Sequence, residues 1–158
     1  MLKLLSTMLF LATCCVNSHA QTSGPDRDVV QTLAGTLSIS RVERVRADSV
    51  TFNVSLKGAH FDQYYGSHYA YYVDSSTNSK PVGRMIVEDF NGGASEPPLV
   101  SMYDFRKQSP VVLSVSDKLD LDDVRWTADA VFLSTSGRWY AFAHKRLLRS
   151  PLPKNATP

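Results

Sequence analysis

The sequence predicts an all-β fold: a single antiparallel sandwich or barrel-like domain of roughly eight strands with little helix. Three observations carry this. Apolar and polar residues alternate with period two at several places along the chain, as they do on a strand with one face in the core and one in water. Such segments recur about every dozen residues and are separated by polar turns, which is the spacing of sandwiches and barrels. No segment carries an apolar stripe at helical spacing long enough to cover a sheet.

The clearest alternation runs over residues 50–57. Val50, Phe52, Val54 and Leu56 face one way, while Thr51, Asn53, Ser55 and Lys57 face the other. Upstream, Leu37, Ile39 and Arg41 alternate with Thr36, Ser38 and Ser40, and residues 46–49 read as the hairpin turn between the two strands. Residues 69–73 and 82–87 follow as strands around the polar loop 74–80. Residues 100–105 and 111–115 flank a turn that ends in Pro110, and residues 128–133 and 139–143 flank a turn containing Gly137. The last pair is the most apolar. Val131, Phe132 and Leu133 leave neither face polar, which places this hairpin in the middle of the core. Residues 26–33 and 117–124 open with acids and read as short helical turns. In sum, residues 29–149 form the β domain, 21–28 a flexible leader and 150–158, with three prolines, a flexible tail.

Residues 1–20 follow the plan of a secretory signal peptide: Lys3, then an apolar run over 4–12 broken only by Ser6 and Thr7, then small residues at Ser18 and Ala20 before the cleavage point. The run is shorter than the ~20 residues a membrane-spanning helix needs. The protein is therefore expected in the periplasm or outside the cell. Leu11-Ala12-Thr13-Cys14 has the outline of a lipoprotein box, with Thr13 where a smaller residue is usual, so lipidation at Cys14 is the weaker alternative. Both cysteines, Cys14 and Cys15, lie in the segment to be removed, and the exported domain rests on its core without disulfides. Loss of Lys3 and of no acid takes the formal charge from +2 to +1, which argues against a nucleic-acid partner.

Five of the seven tyrosines and His60 and His68 fall within residues 60–72. Tyrosine supplies a large rigid face and a hydroxyl at low entropic cost, and is enriched in protein-binding surfaces. Tyr64, Tyr65, Tyr69, Tyr71 and Tyr72, with His60 and His68, are thus the candidate binding residues, and a protein is the expected partner. The competing reading is a strand whose tyrosines cover the core edge.

Other chemistry is weakly signalled. His60, Asp62 and His68 match no standard zinc spacing, and Asp117, Asp120, Asp122 and Asp123 lack the glycine and ligand spacing of an EF-hand. There is no nucleophile elbow, no zinc-protease motif and no cysteine nucleophile beyond the signal segment, so no catalytic residue, metal or cofactor is assigned. Glu88 and Asp89 are adjacent on a strand and point to opposite faces, and a pair of Glu88 with Glu96 lacks support. The basic stretch 144–149 admits peripheral contact with an anionic membrane, or serves to keep a strand edge soluble. Loop 91–98, with two glycines and two prolines, suits a shaped excursion. The sequence favours an exported, non-catalytic binding protein, such as an inhibitor, an immunity-type protein or an envelope accessory. A small secreted hydrolase acting on a cell-wall or extracellular polymer is the alternative, and a structural envelope component a further one.

Processing after Ala20 is expected to leave Gln21 first. Mass spectrometry of the exported protein should give the mass of a chain that begins at Gln21, whereas a lipid-modified Cys14 at the terminus would establish the lipoprotein reading.

Overall fold

A computed structural model describes residues 21–22, 27–42, 50–74, 80–91 and 95–158. The signal segment, the 46–49 turn, most of loop 74–80 and the glycines of loop 91–98 lie outside the described residues. The fold is all-β, with no helix among the described residues. Its strands are β1 (Gln21–Thr22), β2 (Arg27–Thr32), β3 (Gly35–Arg41), β4 (Phe52–Leu56), β5 (Ala59–Tyr64), β6 (Tyr69–Val73) and β7 (Arg84–Asp89). There follow β8 (Leu99–Asp104), β9 (Val111–Ser116), β10 (Asp123–Trp126), β11 (Val131–Thr135), β12 (Arg138–Ala143) and β13 (Arg146–Arg149).

These strands make three antiparallel sheets, where a single sandwich or barrel of roughly eight strands was expected. Their orders are β2-β3-β4-β5, β1-β6-β7-β8-β9 and β10-β11-β12-β13. Pleating divides the middle sheet into two faces. Tyr69, Tyr71, Met85, Val87 and Tyr103 pack with Leu37, Ile39, Phe52 and Val54 of the first sheet. Tyr72, Ile86, Val100 and Met102 pack with Val124, Trp126, Val131, Leu133 and Phe142 of the third. The middle sheet thus sits between the other two and shares a separate apolar core with each.

The consequence falls on β7, all six residues of which are buried. This strand, and not the 128–143 hairpin, is the centre of the molecule. β11 is buried, but β12 beside it is mostly half-exposed. The segments expected to form helical turns carry no helix among the described residues: 27–32 are β2, paired with β3 from Arg27↔Ser40 to Thr32↔Gly35, while 117–122 are bends and loop that lead into β10, paired with β11. In β2, Val30 and Thr32 are buried while Val29 and Gln31 are exposed, a period-two pattern that favours the sheet. Gln21–Thr22 pairs with β6. Thr157 bridges Trp126, exchanging backbone hydrogen bonds of 2.7 and 2.9 Å, so the tail lies along the free edge of β10.

Burial on both faces requires the polar residues of the middle sheet to find partners inside the protein. Asp89 lies on the face toward the first sheet and accepts the backbone N–H groups of Tyr65 (3.1 Å) and Gly66 (2.8 Å), fixing the β5–β6 connection. Gly66 is wedged there. A Cβ at this position would stand 2.5 Å from the backbone of Phe90, which cannot swing aside as a side chain could. Gly66→Ala is therefore expected to cost about 1–3 kcal/mol, read as a lower urea midpoint with an unchanged denaturant slope.

Candidate functional site

The tyrosine segment mostly turns inward. Tyr64, Tyr69, Tyr71 and Tyr72 are 3%, 1%, 6% and 5% exposed. Tyr69, Tyr71 and Tyr72 lie on a strand covered on both faces, so each must enter one core or the other. Three of these buried hydroxyls, and that of Tyr103, find partners inside the protein. Tyr69 donates to Asp28 at 2.5 Å, and Tyr103 donates to Asp62 at 2.5 Å while its hydroxyl meets that of Tyr64 at 3.0 Å. Tyr72 donates to the Leu121 carbonyl at 3.3 Å. Burial pushes all five of these phenols, Tyr71 included, up from their ordinary value, that of Tyr71 to about 12. A continuous tyrosine face is thus not formed. Of the seven candidates, Tyr65, His60 and His68 are exposed. Tyr65 accepts a hydrogen bond from the Gln63 side-chain amide, and His68 stacks on Phe90 with ring centres 4.2 Å apart.

Several of the candidate carboxylates are taken up by contacts within the fold. No group of three or more potential metal ligands occurs among the described residues. Asp62 is engaged by Tyr103 and by the Gln63 backbone N–H, and Asp123 pairs with Arg125 at 2.8 Å. Glu88 and Asp89 point to opposite faces. Glu88, 2% exposed, faces the third sheet and accepts the Leu121 N–H at 3.0 Å. Burial raises its pKa from 4.5 to about 7. Asp120 and Asp122 push in the same direction, opposed by the bonds from Leu121 and Tyr72.

A concavity lies elsewhere, at one end of the interface between the middle and third sheets. It is a cleft of about 670 Å³ whose sides are turns 106–110, 127–130 and 143–146. Its walls are mixed: Met102, Val111 and Leu113 from the middle sheet and Val131 and Phe142 from the third supply apolar surface, beside the charged Arg84, Asp104, Arg106 and Asp129. Volumes of this order are typical of small-molecule sites.

Asp104 and the exposed Asp129 line the cleft together with four Lys and Arg side chains, and these cations fall into two groups. Arg84 and Arg106 are structural. Arg84, buried, pairs with Asp74 at 3.0 Å, donates to the carbonyls of Thr127 (2.7 Å) and Ala130 (3.4 Å), and lies over the Trp126 ring at 5.0 Å. Arg106 binds Asp104 through two nitrogens at 2.9 and 2.8 Å and donates to the Ala128 carbonyl at 3.0 Å. These bonds hold Asp104 below its usual range. Three carbonyls of one turn are thus held by two guanidiniums, which makes the 127–130 side of the cleft rigid. Lys107 and Lys145 form the second group. Both are exposed, they stand on two different turns, and neither makes an ion pair among the described residues.

Nothing in the sequence marks these residues as a set. Met102, Val111 and Leu113 look like ordinary strand positions, and two lysines in two turns look like solvated charge. Comparison with protein-family models, curated proteins and solved structures finds no match for the chain.

Glu88 makes stability depend on pH. Because its folded pKa lies above the ordinary value, the folded state holds the proton more tightly. Its contribution is fully present below pH 4.5 and is lost as pH rises through about 7. Urea unfolding at pH 4.5 and pH 8 should show this loss in the native protein and a smaller one in Glu88→Gln. The expected gain of the variant at pH 8 is up to about 3 kcal/mol, and an equal pH dependence in both proteins would exclude Glu88 as its source.

Proposed function

We propose that the protein is an exported, non-catalytic binding protein that holds a small ligand in the cleft at the end of the second apolar core. The observation that supports this is the cleft itself: space between two sheets, apolar surface from both, a side fixed by Arg84 and Arg106, and uncommitted cations around it. Ligand sites combine apolar surface of this kind with a few placed polar groups. Export rests on the signal-like segment 1–20. A partner protein remains a proposal too, but of the five tyrosines that suggested one, Tyr65 alone is exposed, at 43%.

Val111, half-buried on the cleft wall, offers a direct test. Titration of residues 21–158 with 1-anilinonaphthalene-8-sulfonate, followed by dye fluorescence, should reveal a single saturable site. Val111→Trp, which fills the cleft, should abolish it with the far-ultraviolet circular dichroism unchanged. Absence of saturable binding, or binding that survives in a folded Val111→Trp protein, would overturn the proposal.

A further inference from the structure

Three hairpins of this fold turn through two residues in the left-handed conformation. β4–β5 uses Lys57 and Gly58 (φ 54° and 80°), β11–β12 uses Ser136 and Gly137 (48° and 70°), and β12–β13 uses His144 and Lys145 (50° and 61°). Such turns match the twist of the paired strands but place both residues where a Cβ is unfavourable, so glycine is the usual second residue. The first two hairpins follow this rule. The third puts a lysine in the glycine position, and it is the one that borders the cleft. A local rule broken at one of three equivalent turns, beside a cavity, is the kind of strain that marks function.

The charge around the cleft gives that lysine a role. Arg84 is matched by Asp74 and Arg106 by Asp104, and Asp129 acts on Arg106. Lys107 and Lys145 are left at the opening, on the turn that ends the middle sheet's β8 and on the turn between two strands of the third sheet. Behind them the walls carry apolar side chains, Met102, Val111, Leu113, Val131 and Phe142, beside the already paired Arg84 and Asp104. A neutral apolar ligand would not use the lysines, and a fully polar anion would leave the apolar walls wet. We infer that the cleft takes a single-chain amphiphile with an anionic head, its tail between the sheets and its carboxylate or phosphate held between Lys107 and Lys145.

This rests on the cleft being a ligand site, and the test separates the two. Residues 21–158 are titrated by calorimetry with dodecanoate, dodecyl phosphate and dodecanol, each below its micelle concentration. Saturable binding of one or both anions, with dodecanol at least about tenfold weaker, is expected. Preference between the two anions identifies a fatty-acid-like or a phospholipid-like source. Lys107→Ala combined with Lys145→Gly should weaken anion binding by about tenfold or more, leave dodecanol unchanged, and raise the melting temperature relative to Lys107→Ala alone, since glycine relieves the turn. Lys145→Asn, which tolerates the left-handed conformation, controls for turn geometry and should lose anion affinity in the same way. Equal binding of all three amphiphiles, unaffected by the lysine changes, would leave the cleft a ligand site and overturn the anionic head. Binding of none of them would overturn both.

Discussion

The requirement that governs this molecule is the desolvation of β7. A strand buried on both faces ordinarily carries little but aliphatic side chains, yet Arg84, Glu88 and Asp89 make up half of this one. Each of these groups would be costly in an apolar interior unless hydrogen-bonded or paired. Each finds its partner in the backbone of a connection belonging to an outer layer. Arg84 reaches the 127–130 turn, Glu88 the approach to β10, and Asp89 the link from β5 to β6. The same side chains that burden the centre therefore fix how both outer sheets sit on it. Apolar packing holds the layers together without direction, and these few bonds supply the register.

The cleft grows out of the same requirement. Arg84 and Asp104 close the middle sheet at one end, and their partners Asp74 and Arg106 complete a charge cluster that grips the 127–130 turn. The cluster sets one side of the opening without filling the space between the sheets. On that side the cavity is thus bounded by side chains already committed to the fold.

Much of the strand pattern was legible in the sequence, for a specific reason. β3 and β4 belong to an outer sheet with one wet face, so Leu37, Ile39, Phe52 and Val54 alternate cleanly with polar residues. β7 was placed as a strand but not as the centre, because its three charges imitate a solvated strand while their partners are distant in sequence. β2 and the approach to β10 were misread as helical turns, since Asp26, Asp28 and the acids at 117–123 resemble helix starts and the pairing that overrides local preference is tertiary. β5 and β13 hid behind His60 and Asp62 and behind the charged Arg146 and Arg149. The tyrosine cluster was visible, but its direction was not. Composition gives the same signal for a tyrosine whose hydroxyl meets water and for one whose hydroxyl meets Asp28. The cleft left no trace, because it is assembled from three turns whose proximity only the layering creates.

The three sheets also share a simple connectivity. Apart from the short β1 beside β6, every strand ladder among the described residues joins strands that are consecutive in the chain. Each sheet is a meander whose loops close over small sequence separations, so the entropy lost in forming it is modest. Stacking of the sheets is the point at which the charges of β7 must leave water and meet their distant partners together. A chain built this way keeps its strand pairing local and leaves its buried charges to find partners far along the sequence.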